Sequence, residues 1–521
     1  YPFDLKQGFG DLKLNMTLEK ERIGEIKTVF YLENFIGNFN KDQNQHIRIN
    51  ELSGNAIFEN HDQRKKIAAT NLNLRTDKLN VKNSGFEIIS KNDKAESFRL
   101  KLNQLKLNAI EPLINQFPFF EDLKADIRGF KPNGEVSNLQ ISWIQEKEMI
   151  LKGMLDGVGI LPYKNLPGFK NLSAKVDIKN DKGLIDLKSN NVALVFDEYL
   201  RAALNFDKLD GIIRLDNKKL KLSDLIITNQ DLSSSISVDV TYKDDRSWNT
   251  HVAVNLSVPD ITKLKKYYPR LTDPDLLNWL DTSLLKGSLV DSKININSYG
   301  KNISDSPKYN IQFSGILNDS LIEFATDYPE IENANINIDL QNNKLRLSSN
   351  DGVIANQNIS SLEVFYDLLD QESKITANWK TNGDIGSLVS AINNSPLYED
   401  TEDFTNQLIA KGTGALDLKV IYPTENPENI DFRAKYNFID ASIENPRIGL
   451  PEVNNFNASL DIKPDFYEIK DGKGQIFGMP VNFNLSNVNE VTKIDATGEI
   501  DKSFFVKNLG TSWSDKVEGS A

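Results

Sequence analysis

The sequence predicts an all-β protein: one elongated, curled antiparallel sheet built from repeated modules, with a few short helices. Three observations predict it. Apolar and polar residues alternate along most of the chain, turn-forming clusters separate the alternating runs, and helix-like stretches are few and widely spaced. Alternation means strands with one wet face. Linkers this short require antiparallel pairing, because parallel strands need long crossovers.

The strands follow in order. Leu12, Leu14, Met16 and Leu18 alternate with Lys13, Asn15 and Thr17. Val176 and Ile178 continue the pattern, then Ile236, Val238 and Val240, then Val252, Val254 and Leu256. Ile294 and Ile296 precede Ile336, Ile338 and Leu340, and Leu345 and Leu347 follow. Leu416, Leu418 and Val420, Leu460 and Ile462, and Val481, Phe483 and Leu485 complete the set. Turns are expected at Asn180-Asp181-Lys182-Gly183, Asp216-Asn217-Lys218, Gln341-Asn342-Asn343 and Asp471-Gly472, whose residue types accept tight or left-handed backbone.

Helices are expected over Ala109 to Phe117, Ile261 to Tyr268, Pro274 to Leu285, Ile385 to Ile392 and Lys502 to Leu509. Asp260, Asp384 and Asp501 stand where a carboxylate caps the free N–H groups of a first turn. These aspartates recur at similar intervals, and so do glycines that open new strand runs: Gly134-Glu135-Val136, Gly287-Ser288-Leu289, Gly412-Thr413-Gly414 and Gly519-Ser520-Ala521. A second signature repeats as Leu166-Pro167-Gly168-Phe169-Lys170-Asn171-Leu172-Ser173, Tyr328-Pro329-Glu330-Ile331-Glu332-Asn333-Ala334 and Leu450-Pro451-Glu452-Val453-Asn454-Asn455-Phe456-Asn457. The repeats divide the chain into modules over 1–133, 134–286, 287–411 and 412–518, with 519–521 beginning another.

Composition narrows the function classes. The 521 residues are 39% hydrophobic and 26% charged, with a net charge of −13. An acidic balance argues against nucleic acid and against electrostatic adhesion to anionic headgroups. Cysteine is absent, so disulfides and thiolate chemistry are excluded. His46, His61 and His251 have no ligand-like pairing, so no metal or other cofactor is expected. Gly8-Phe9-Gly10 lacks the third glycine of a dinucleotide loop, and acidic pairs such as Glu399-Asp400 are what any acidic protein carries. An enzyme is not expected. No stretch reaches the ~20 apolar residues of a membrane span. Tyr1-Pro2-Phe3-Asp4 has neither an initiating Met nor a signal-peptide layout, so the sequence reads as a processed protein or an excised piece, and any membrane anchor is expected outside it.

An antiparallel sheet with one apolar face covers it with a second sheet, by closing into a barrel, or by curling over itself. No Gly/Ser-rich or Pro-rich spacer separates the modules, which favours one continuous curled sheet. Roughly 30 strands at ~4.8 Å spacing would extend on the order of 140 Å. The apolar residues named above would then line a trough, and lipid acyl chains are its natural occupant. Taken one at a time, each residue reads first as ordinary core packing. Length and repetition carry the groove reading. Leu276, Trp279, Leu280 and Leu284 form an amphipathic helix face that serves either as a lid over the trough or as a docking face against the sheet. The competing reading is a structural or adhesive stack of β-domains with a filled interior, binding protein or glycan.

Several segments carry a family resemblance. Gly129-Phe130-Lys131-Pro132-Asn133-Gly134-Glu135-Val136, Tyr267-Tyr268-Pro269 followed by Asn278-Trp279-Leu280, and Ser395-Pro396-Leu397, together with the proline signatures, resemble the YhdP branch of the AsmA-like proteins. The resemblance implies a periplasmic β-taco, or repeating β-groove, anchored in the inner membrane. It implies a monomer whose partners are phospholipid acyl chains and, at the ends of the full-length protein, the inner and outer membranes. The implied role is phospholipid movement that supports the outer-membrane permeability barrier.

Overall fold

A computed structural model describes residues 4–499, apart from 20–21, 39–46, 62, 93, 116–120, 165, 197–199, 244, 246, 271–273, 302–307, 369–373, 425, 427–428, 465 and 489–490. The fold is all-β, with 27 strands assigned to one antiparallel sheet. The chain divides into two compact units. The first comprises Tyr1–Val254, Lys266–Thr272 and Ile296–Tyr309; the second comprises Asn255–Lys265, Asp273–Asn295 and Asn310–Ala521. The expected helix over Lys502 to Leu509 and the module start at Gly519 lie outside the described residues.

Within the first unit the strands from Asp4–Glu19 to Ser233–Tyr242 form a meander in which each pairs antiparallel with the next. Within the second, Lys308–Ile322 to Val491–Gly498 do the same, with Lys344–Ser349 and the two-residue Val353–Ile354 sharing their neighbours. Turn chemistry sets the hairpins. Asn342 and Asn343 take φ +52 and +63 between the paired Gln341 and Lys344, the left-handed pair that a two-residue hairpin requires. Asn180 and Asn217 take φ +56 and +52 in two further hairpins. Asp471-Gly472 is not a turn. Both residues lie inside the strand Phe466–Ile476, and Gly472 pairs with Phe483.

That exception belongs to a recurring device. Asn71, Asn83, Asn138, Asn171, Asn191 and Asp224 in the first unit, and Asp319, Asn333, Asp440, Asn455 and Asp471 in the second, lie inside strands with φ between +45 and +59. Each coincides with a register shift between neighbouring strands. They are β-bulges, which bend a strand and increase its twist, and Asn and Asp tolerate the left-handed backbone best after glycine. Repetition on successive strands curls the sheet. A bulge also withdraws an N–H from the ladder, and a side chain on the adjacent strand accepts it. Asn83 N donates to Asn73 Oδ1 (3.0 Å), Gly157 N to Ser173 Oγ (3.0 Å), Asp319 N to Asn335 Oδ1 (3.1 Å) and Asp440 N to Asn457 Oδ1 (3.1 Å). The proline signatures contain this device, because Asn171-Leu172-Ser173, Asn333-Ala334-Asn335 and Asn455-Phe456-Asn457 each place a bulge residue two positions before the acceptor. The glycines that open modules are also conformational: Gly134, Gly287 and Gly412 take φ +92, +142 and +103.

The described helices are α1 (Ile110–Ile114), α2 (Glu121–Phe130), α3 (Pro274–Ser283), α4 (Ile385–Asn393) and α5 (Tyr398–Thr405). Three expectations need correction. The helix expected over Ala109 to Phe117 is a 3-10 turn, Leu107–Ala109, running into α1, and α2 follows it unforeseen because half of its ten residues are charged. Ile261–Tyr267 is a 3-10 helix, with Asp260 Oδ1 accepting from Thr262 N at 3.0 Å. The helix expected to reach Leu285 stops at Ser283, so Leu284 begins the strand Leu284–Gly300 and does not belong to a helical lid face. Asp384 caps α4 as expected, accepting from Ser387 N at 2.7 Å.

Candidate apolar face

In an antiparallel sheet, directly paired residues project to the same side. Registers can therefore be followed from strand to strand. In the first unit one row runs Leu14, Thr28, Ala56, Ala69, Phe86, Leu100, Ile141, Leu151, Ile178, Gly183, Leu215, Leu220, Val240. Val176, Ile185, Ile213, Leu222 and Val238 form a second row beside its end. In the second unit Ile338, Leu347, Val364, Ala377, Val420 and Phe432 form one row, and Leu416, Tyr436, Leu460, Ile469, Leu485 and Ile494 another. Leu340 faces Leu345, Leu418 shares a row with Ile462 through Ala434, and Phe483 and Val481 face Gly472 and Gly474. The structure thus brings the alternating residues of each unit onto one face. Val252, Val254 and Leu256 lie half-buried on Trp248–Val258, and Ile294 and Ile296 are half-buried on Leu284–Gly300.

The other face is charged. Lys66 pairs with both Glu59 (3.6 Å) and Glu87 (3.5 Å), Arg99 with Glu87 (2.6 Å), Lys152 with Asp177 (3.0 Å) and Lys380 with Asp417 (2.8 Å). Such exposed pairs contribute only about 0–1 kcal/mol each, but they fix which side of the sheet faces water.

The apolar face itself is unequal along the strands. Toward the ends that bear helices and proline corners it is packed. Val192, Phe206 and Leu209 are buried in the first unit. In the second, Ile385 of α4 joins Ala441, Ile443, Val453 and Phe456 in one core, with Phe438, Phe456 and Phe483 in ring contact at 4.9 and 5.0 Å. Ile336 belongs to this filled part and is 4% exposed. Toward the opposite, hairpin ends the face opens. The row Met16, Ile26, Phe58, Ile67, Ile88, Phe98, Trp143, Met149 crosses eight strands, and Met16, Ile67, Ile88, Trp143 and Met149 are 51, 48, 39, 37 and 45% exposed. Leu12 and Leu18 are more exposed still and Leu14 is equally so, since no described strand pairs with the far edge of Asp4–Glu19.

Helix α3 is held in place. Trp279 Nε1 donates to the Phe324 carbonyl at 3.1 Å and Leu277 is buried, while Leu276 points to solvent and Leu280 is half-buried. Among the described residues no group of three or more His, Asp and Glu is arranged to hold a metal ion, and no helix is long and apolar enough to cross a membrane.

A curled antiparallel meander with a charged outer face and an apolar, partly uncovered inner face defines a β-groove protein. The chain belongs to the YhdP family: the family described as YhdP protein matches residues 2–521. No curated protein matches it.

Proposed function

We propose that the chain is a non-enzymatic lipid carrier that shelters phospholipid acyl chains on its apolar face while headgroups remain in water. In the full-length protein this serves movement between the inner and outer membranes through the periplasm. The observation that carries the reading is the eight-strand row from Met16 to Met149, in which five of the eight apolar side chains, Met16, Ile67, Ile88, Trp143 and Met149, are 37–51% exposed and the other three half-buried. Soluble proteins rarely leave such contiguous surface without an occupant. Passing a ~16-carbon chain through water costs about 13 kcal/mol at ~0.8 kcal/mol per CH₂, and a continuous apolar face removes most of that cost. Contacts of similar strength from strand to strand suit movement better than one deep site, which would trap the lipid. Family membership supports the same reading, through the lipid role that the resemblance implies.

Site-specific photo-crosslinking tests it. A photoreactive residue at Ile88 or Leu347, both on the apolar face, captures phospholipid in cells. One at Glu87 or Arg346, on the charged face, captures none. Equal labelling at both faces, or none at either, contradicts the proposal.

A further inference from the structure

In the second unit, three buried oxygens lie on the apolar face without partners. Gln357, Thr381 and Tyr436 are 1, 3 and 5% exposed, and Gln357 Oε1, Thr381 Oγ1 and Tyr436 Oη make no hydrogen bond. The registers bring them together. Gln357 pairs with Gly383, Gly383 with Gly414, Thr381 with Leu416, and Leu416 with Tyr436. Two glycines make the space. A Cβ on Gly383 would stand 2.8 Å from Gln357 Oε1, and one on Gly414 would collide with the Tyr436 hydroxyl. The Gln357 amide thus leans over one glycine and the Tyr436 phenol over its paired neighbour. Gln357 Nε2 is already committed, donating to the Asp384 carbonyl at 2.6 Å, which fixes Oε1 as the free end.

A buried polar atom left unpaired is costly, and three at adjacent positions on an otherwise apolar face call for a shared partner. Gln357 Oε1 can only accept, whereas the Tyr436 and Thr381 hydroxyls can each donate or accept. A partner that both donates and accepts satisfies all three. It is also uncharged, because an ion on this buried, otherwise apolar face would pay a large desolvation cost. Burial pushes the Tyr436 hydroxyl up to about 12, and the Asp384 carboxylate, which adds to the push, further disfavours a phosphate.

We propose that Gln357, Thr381 and Tyr436 form a binding site for one neutral hydroxyl group, supplied by water or by a hydroxyl-bearing lipid such as diacylglycerol. The site does not depend on the carrier reading, since water alone would fill it. The test is thermal unfolding of the full chain carrying Tyr436→Phe or Thr381→Val, each of which deletes one oxygen. It is run on protein stripped of lipid, and again after incubation with phosphatidylcholine vesicles with and without diacylglycerol. A fall of roughly 2–4 °C per deleted hydroxyl in stripped protein identifies water. A fall that appears only with diacylglycerol identifies the lipid. A Tm unchanged or raised in every arm shows that the deleted oxygens had no partner and overturns the proposal. Thr381→Val decides the matter if Tyr436→Phe fails to fold.

Discussion

Asn455 illustrates how single residues set the curl. Its φ of +50 is accessible to Asn and Gly but costs a β-branched residue about 1–2 kcal/mol. Asn455→Val should therefore lower the urea midpoint while Asn455→Gly leaves it nearly unchanged; equal loss from both would mean that the side chain matters and the backbone does not. Asp351 is a second residue-scale tie, accepting from Asn335 N at 2.8 Å, Asn335 Nδ2 at 2.6 Å and Ser349 Oγ at 2.9 Å. Burial raises its pKa, but the bonds from Asn335 and Ser349 outweigh burial and hold it below the usual 3.8. The stability it contributes is fully present above that ordinary value and disappears as pH falls through the lower folded one. Wild type and Asp351→Asn should differ in Tm at pH 7 and converge near pH 2. A constant difference would show that the carboxylate charge is not involved. The Asn-x-Asn and Asn-x-Ser signatures were visible in the sequence as repeats. Their meaning was not, because an isolated Asn or Asp-Gly reads as a turn until the neighbouring strand is known to continue past it.

Elements were legible where a local rule decides them. The Asn342-Asn343 hairpin and the Asp384 cap follow from turn and helix-end chemistry alone. Asp384→Ala should cost about 1 kcal/mol by denaturant titration, from the cap it gives Ser387 N; no change would mean that α4 is held only by Ile385 and the core beneath it. Helix α2 was illegible because half of its residues are charged and its placement is tertiary. The end of α3 was misplaced because Leu284 and Leu285 extend the apolar pattern of the helix without interruption into the next strand. The apolar face was legible through its period of two, since one register step would have reversed every side chain. Its division into packed and open ends was not, because Ile336 and Ile338 look identical in sequence. That division separates two mutations. Ile336→Asp places a charge in the filled end and should unfold the second unit, whereas Ile88→Asp at an open end should leave circular dichroism unchanged and reduce lipid capture. If Ile88→Asp retains wild-type capture, the open ends are not where lipid lies.

For the whole molecule, the balance rests on surface that the polypeptide leaves uncovered. A filled β-stack and a carrier share the same strands, turns and bulges, and they differ only in whether the hairpin ends of the apolar face are covered by protein or by hydrocarbon. Native mass spectrometry of the full chain purified without detergent measures that difference directly. The account predicts several bound phospholipids per chain, displaced in number by Ile88→Asp and unaffected by substitutions on the charged face. A chain that is fully folded and carries no lipid, with those same side chains still accessible to water, would contradict it.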